Sequence, residues 1–398
     1  MSSYDVIIIG AGPAGSTAGR FLAESGFRTL LIDKKKFPRH KTCASWINRL
    51  AFEQFPYLQP QLDRLIETPF FGMTFLDANL EKQATFLEKV PSGYLTLRSK
   101  FDYGLKQLAE AGGCKSIEGF SLTQLNDGSQ TGPGGKASVS VELEDGRSFS
   151  CKVLIGADGA HSKVARLGGF RQSWGKDQYV MCANEDVPSE TDVISSCFPR
   201  QSPIYVVLRY ANIEGYGWVF PKREHICVGI GGRLKDDHDI RPLYRQFFEH
   251  LKDKRLLPQT LQSKKVDFGI DPAGGVNRSE TLVKGRILLV GDAAGFVSGS
   301  TGEGIYPAMV SARCAAEVIR EAFKKNFVEG SLQVYNERWR EVLGDYLGYL
   351  PGGQRRGNTM KKLDYIFKSQ LICRMAARAF LYGEGTGVRD LLRNLWKR

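Results

Sequence analysis

Apolar residues first gather in two short unbroken runs, Asp5–Ile9 and Thr29–Asp33, on either side of a segment with helical spacing over Pro13–Ser25. Continuous Val/Ile/Leu runs of this length mark strands buried on both faces of a parallel sheet. The chain is therefore expected to open on a strand–helix–strand unit. From Phe37 to Gly93 the pattern is mixed and loop-rich, and a helix is expected from about Lys100 to Ala111. Alternating stretches at Ala137–Leu143 and Phe149–Ile155 flank Glu144-Asp145-Gly146-Arg147, whose Asp-Gly step predicts a hairpin. Gly128–Gly135 is expected to be a surface loop.

A run of strands is predicted next, at Tyr179–Val187, Val193–Phe198, Ile204–Tyr210, Gly217–Phe220 and Ile226–Gly231. The buried-strand pattern returns at Ile287–Val290, followed by a helix over Gly304–Phe323 and a helical, basic remainder. This order predicts an α/β fold: a Rossmann-type nucleotide-binding domain with an inserted antiparallel β-sheet substrate domain and a helical C-terminal region. The expected boundaries are 1–75, 94–175 and 267–325 for the first, 76–93 and 176–266 for the second, and 326–398 for the third.

Composition adds little: 42% hydrophobic and 25% charged residues over 398 positions describe an ordinary globular chain. The run Val6–Ile9 is too short for a signal-peptide core, and no apolar run reaches the roughly 18 residues that span a bilayer. A cytoplasmic protein, peripheral at the membrane at most, is the expectation. Charge changes the picture more. The net charge is +12, and residues 351–398 hold 11 Lys/Arg against 3 Asp/Glu. Within this stretch Phe367–Leu381 is amphipathic, fit to dock on the protein core or to lie on an anionic membrane. No motif supports nucleic-acid binding. Eight scattered cysteines without a C-x-x-C pair argue against zinc and a disulfide framework, and the histidines (His161 on a solvated loop among them) lack metal spacing, so no metal is expected.

Three motifs carry the chemistry. Gly10-Ala11-Gly12-Pro13-Ala14-Gly15 is G-x-G-x-x-G between a buried strand and a helix. Its glycines allow a tight turn, backbone approach to a pyrophosphate and close helix–strand packing, and the helix N-terminus faces the phosphate charge. Asp33, with Lys34 beside it, ends the next strand 18 residues after Gly15, where a carboxylate accepts from a ribose 2′-hydroxyl. Gly156-Ala157-Asp158-Gly159 and Gly291-Asp292 each set a carboxylate at the carboxyl end of a further strand. A tightly held flavin with a ribityl chain needs such distant anchors and a transient nicotinamide does not, so FAD is the expected cofactor.

The set G-x-G-x-x-G, D-G and G-D resembles the flavoproteins of the p-hydroxybenzoate hydroxylase fold. The resemblance implies that Asp292 binds the ribityl or pyrophosphate part of FAD, that Asp158 lies near the pyrophosphate groove, and that Arg98 reaches the ribityl or phosphate region. It implies backbone contact from Leu122 to adenine. It also sets the helix after Gly302-Glu303-Gly304-Ile305 with its N-terminus toward the flavin N1/C2 carbonyl.

Within that superfamily, Phe37-Pro38-Arg39-His40-Lys41-Thr42-Cys43 resembles the F-P-R-x-K-x-C stretch of the geranylgeranyl reductase family. Tyr216-Gly217-Trp218-Val219-Phe220-Pro221 is similar to its Y-x-W-x-F-P segment, which lines the isoprenoid pocket. This implies an FAD-dependent reductase that saturates C=C bonds of an isoprenoid or other long apolar substrate, bound by Tyr216, Trp218, Phe220, Pro221 and Trp46. Spacing alone reads the alternating aromatics as one buried face of a strand. Cys43 reads equally as a proton-donating thiol or a small buried hydrophobe, and Glu303 as a dipole-favoured helix start or a proton carrier. Halogenases share the fold, but Lys41-Thr42-Cys43 and a lone Trp218 depart from their motifs. Where the reductases follow the cysteine with glycines, this chain has Ala44-Ser45-Trp46, which leaves the substrate open. A monooxygenase or dehydrogenase of an aromatic metabolite, and a flavin electron carrier with a membrane or protein partner, are the alternatives. The electron donor, whether NAD(P)H, ferredoxin or quinol, is unreadable, since no second G-x-G-x-x-G unit is present.

Overall fold

The computed structural model describes residues 2–128, 138–199, 201–234, 239–279, 281–328, 330–348 and 364–384. The loop expected at 128–135 and the expected strand start at 137 fall mostly outside these residues, as does most of the basic C-terminal stretch. Contacts divide the chain into two compact units, residues 1–40, 99–178 and 272–353 against residues 41–98, 179–271 and 354–398. The first segment thus ends near 40 rather than 75. Among the described residues no separate C-terminal unit forms, because Tyr335–Leu343 packs on the helix Ile305–Lys324 of the first unit and Gln370–Tyr382 on the strand Gln83–Leu87 of the second.

The first unit is built on a sheet in the order Val283–Lys284, Ile287–Leu289, Ser148–Gly156, Ser2–Ile9, Thr29–Asp33, Lys115–Glu118. All pairings but that of Val283–Lys284 are parallel. Val6, Ile7, Ile8, Val153, Leu154 and Ile155 are fully buried, as both-face packing of a parallel sheet requires. The start of Ser148–Gly156 is shared with the predicted hairpin to Val139–Leu143, which pairs with Leu122–Asn126. Helices Pro13–Glu24 and Ile305–Lys324 pack against each other. The strands therefore end where both helices begin.

The second unit is a seven-stranded sheet ordered Asp267–Asp271, Val180–Pro188, His225–Arg233, Glu214–Pro221, Ile204–Leu208, Gly72–Leu76, Gln83–Leu87. It is antiparallel except between Ile204–Leu208 and Gly72–Leu76. One face buries the helix Ile240–Asp253 through Ile240, Tyr244, Phe247, Phe248 and Leu251. The other carries Trp218, Phe220 and Cys227 and packs on Cys373, Ala377 and Leu381 of Gln370–Tyr382. Three short strands, Trp46–Asn48, Gly93–Leu95 and Thr68–Phe70, form a separate sheet. One expectation fails here: Val193–Phe198 is no strand, since Thr191–Cys197 is a helix. The polar run Ser189-Glu190-Thr191-Asp192 is a helix-start signal, and it outweighs the β-branched residues behind it. No helix among the described residues is long and apolar enough to cross a membrane.

Candidate active site

Gly10 closes the first strand at φ 104°, and a Cβ there would lie 2.3 Å from the Ala157 carbonyl oxygen. Only glycine lets the first strand and the Gly156-Ala157-Asp158 turn run this close. At Gly12 the space is open instead: an added Cβ would meet only Nη2 of Arg39, at 3.5 Å. Gly12 is the N-cap of Pro13–Glu24, with no side-chain cap and no acidic residue in the first turn. Pro13, Ala14 and Gly15 are buried in that turn. The amides there are left for an external anion.

Arg39 completes this cradle. Its Nη2 pairs with Oδ2 of the fully buried Asp102 at 3.0 Å. Its Nη1 is buried with no hydrogen-bond partner among the described residues. An orphaned guanidinium N–H beside an unfilled glycine turn is what a diphosphate would satisfy, so these residues fit FAD. Spacing could not find Arg39, because its partner stands 63 positions away; the Phe37-Pro38-Arg39 run was the available signal.

Asp33 is 7% exposed, and its carboxylate accepts from the Ala11 amide at 2.7 Å and the Lys35 amide at 2.8 Å. Two lone pairs remain for ribose hydroxyls. Lys34 is exposed. Asp158 is occupied locally: Ser162 Oγ donates at 2.5 Å, and the Lys163 and Val164 amides donate at 2.7 and 3.1 Å. Burial raises its pKa against those bonds. Its carboxylate therefore fastens the turn, and Gly159 after it is open to a distance of 4 Å. The Leu122 carbonyl likewise accepts from Lys163 Nζ at 2.9 Å. Arg98 is buried at the first position of Arg98–Ala111.

Gly291 and Asp292 lie in a short turn after Ile287–Leu289. Asp292 Oδ1 is 3.5 Å from where a Cβ on Gly304 would sit, which brings the G-D turn against the Gly302–Ile305 helix start. Glu303, 2% exposed, accepts from the Tyr306 amide at 2.8 Å and from the Tyr346 hydroxyl at 2.8 Å. Tyr346 had no sequence signal. Arg171 was also missed: it stacks on Trp174 at 3.6 Å and donates to the Ala293 carbonyl, and burial lowers its pKa to about 10.

In the second unit Trp218 and Phe220 are buried and Tyr216 is half-buried on one face of Glu214–Pro221, with Pro221 buried at its end. A Cβ on Gly229 would lie 2.2 Å from the Trp218 ring, so that glycine lets the indole lie on the sheet. Trp46 joins this cluster and approaches Phe70 and Phe380 at ring distances of 5.9 and 6.0 Å. Thr42 is 3.5 Å from a Cβ on Gly269, and Ala44 packs on the same aromatic cluster. Cys43 lies between these two contacts, its Sγ accepting from the Ser45 amide at 3.3 Å. Ser45 stands where the reductases have glycine and adopts φ 61°. At the far end of the face Lys222, with no exposed side chain, pairs with Asp186 at 2.5 Å. Burial opposes its charge, and Asp186 outweighs burial, so its pKa stays above the ordinary lysine value.

The FAD binding domain family matches residues 3–346. A digeranylgeranylglycerophospholipid reductase of Methanocaldococcus jannaschii is 32% identical over 86% of this chain and 84% of its own. A menaquinone reductase of Mycobacterium tuberculosis is 29% identical over 80% of this chain and 76% of its own. The crystal structure of a geranylgeranyl bacteriochlorophyll reductase-like protein from Thermoplasma acidophilum superposes with a TM-score of 0.77 over 100% of this chain and 99% of its own, at 22% identity, which shows a shared fold. With a glycine turn, an uncapped helix and an arginine whose Nη1 is unsatisfied, all suited to a diphosphate, and relatives that match along most of its length, the chain is an FAD-dependent oxidoreductase and belongs to the geranylgeranyl reductase family.

Proposed function

We propose that this protein saturates carbon–carbon double bonds in the chain of an isoprenoid or similar long apolar substrate. The observation that carries this reading is the face built by Tyr216, Trp218 and Phe220, with the indole laid on Gly229 and the segment around Cys43 packed beside it through Ala44. The reductase names of the relatives support it. FAD, when bound and reduced, would supply a hydride, a proton with two electrons, to one carbon of the double bond. The amides of Gly12, Ala14 and Gly15 and the Arg39 guanidinium hold its diphosphate, Asp33 its adenosine ribose, and Asp292 its ribityl part. Arg98, Asp158 and Leu122 remain proposed contacts, the last two through backbone because Asp158's carboxylate is engaged. The aromatic face binds the substrate chain by burying apolar surface and excluding water. Cys43 holds a proton at Sγ for the second carbon.

The outward side of Gln370–Tyr382 carries Leu371, 52% exposed, with Tyr365, 54% exposed, ahead of it and Lys368 5.7 Å over the Tyr365 ring. With the basic residues that follow, it supports contact with an anionic membrane, where such substrates reside.

The test is anaerobic. Dithionite-reduced holoenzyme is incubated with polyprenyl diphosphates, a digeranylgeranyl lipid and a menaquinone, and products are read by mass spectrometry. A gain of two hydrogens per double bond is expected with at least one of them. No gain with any, or an oxygen-dependent hydroxylated product in air, overturns the reading.

A further inference from the structure

Glu303 lies one residue before the N-cap of Ile305–Lys324, and its two oxygens accept from the Tyr306 amide and the Tyr346 hydroxyl, each at 2.8 Å. The rings of Tyr306 and Tyr346 meet edge-on at 5.0 Å, which holds the second tyrosine over the same turn. A second carboxylate, Asp292, faces Glu303 from the neighbouring turn, and the titratable hydroxyl bonded to it is that of Tyr346, whose ring meets that of Tyr306. Burial first, and Asp292 in addition, push the Glu303 pKa up to about 7 against the pull of its hydrogen bonds. A helix start needs only one accepting oxygen, and this one retains a fully buried carboxylate whose second oxygen is held by a tyrosine from a distant segment.

We infer that Glu303, positioned by Tyr346, takes up a proton from solvent when the FAD bound by this unit is reduced. Two electrons arrive beside the buried Glu303 carboxyl and the Asp292 carboxylate. Added negative charge there favours protonation of whichever neighbouring group binds a proton most easily. Glu303 is that group, being a buried carboxyl poised near neutrality. An O–H bond forms at a Glu303 carboxylate oxygen as the electron pair arrives from any two-electron donor. That O–H bond breaks, and the proton returns to solvent, as the pair passes to the substrate. This rests on the FAD reading but not on the identity of the substrate. The sequence pattern allowed Glu303 a proton role; the redox linkage and the part of Tyr346 come from the geometry.

The test is a set of reductive titrations of holoenzyme with dithionite, reading the midpoint potential of the bound flavin from about pH 5.5 to about pH 9. One extra proton per two electrons steepens the slope by about 30 mV per pH unit, the two-electron equivalent of a tenfold change in proton activity. The wild type is expected to steepen above about pH 7, and Glu303→Gln to lack that step. Tyr346→Phe keeps the carboxyl but removes a donor to its ionised form, so the onset is expected at higher pH. Equal slopes in wild type and Glu303→Gln overturn the inference. Should Glu303→Gln not retain FAD, Tyr346→Phe decides alone, and an unmoved onset overturns it. Failure to saturate any polyprenyl substrate would leave these slopes untouched, so the two readings fail separately.

Discussion

In the first unit the proposed ligand contacts are largely backbone: a glycine turn, an uncapped helix start, and turns fastened by Asp33 and Asp158. In the second they are side chains, with aromatics laid on a sheet and the Cys43 segment packed beside them. Backbone recognition demands glycine and helix starts at fixed spacing, so few sequences perform it. Side-chain recognition needs only a surface of suitable shape, which many sequences supply. Substitutions in the first unit should therefore be read out in cofactor content, and those in the second in substrate choice with the flavin retained.

The largest effect should come from Gly10→Ala. The methyl group would meet the Ala157 carbonyl oxygen at 2.3 Å on a residue held at φ 104°. Left-handed strain and forced displacement of the neighbouring turn together cost about 3 kcal/mol or more. Purified protein is expected without flavin absorbance. A normal flavin-to-protein ratio would break the distinction between the units at its strongest point.

Next comes Glu303. Its pKa is raised from the model-peptide value of 4.5 to about 7, so the folded state prefers the protonated form. The stability this contributes is complete below about pH 4.5 and lost as pH rises through about 7, a change of about 3 kcal/mol. Urea unfolding of FAD-free protein across that window should show wild type losing stability relative to Glu303→Gln by this amount. A difference that stays constant with pH would mean that Glu303 does not titrate there.

Arg39→Met sharpens the comparison, because it removes the main side-chain contact proposed for the first unit's cradle. Loss of charge-assisted hydrogen bonds to a diphosphate costs about 1.5–3 kcal/mol, a 10–100-fold weaker FAD affinity. Adding Asp102→Asn removes the buried carboxylate left behind. If the double variant binds FAD as tightly as wild type by fluorescence titration, Arg39 serves packing alone.

What was legible follows the same division. The strands Ser2–Ile9 and Thr29–Asp33, the glycine turn and the Gly291-Asp292 turn were readable because local geometry dictates residue type within a few positions. Helix Ile240–Asp253 went unread although Ile240, Tyr244, Phe247, Phe248 and Leu251 recur at helical spacing; the signal was there. The pairing of Gly72–Leu76 with Ile204–Leu208 had no local signal, since a parallel partner some 130 residues away leaves no trace in spacing. Tyr346 reaching Glu303 across 43 positions is of that kind too.

The smallest effect is the most informative about the second unit. Ser45 is fully buried at φ 61°, and its hydroxyl donates to the Cys43 carbonyl at 3.1 Å. Ser45→Gly relieves left-handed strain of about 1–2 kcal/mol. It loses a hydrogen bond of about 0.5–1.5 kcal/mol and adds about 0.5–1 kcal/mol of chain entropy cost. These nearly cancel, so the melting temperature and flavin content should stay close to wild type. The turn carrying Cys43, freed of its tether, is expected to accept a different set of chain lengths in the polyprenyl assay. If the substrate ranking does not change, that turn does not shape the pocket. If flavin is lost instead, cofactor binding depends on the second unit as well, and a division of labour by unit does not hold.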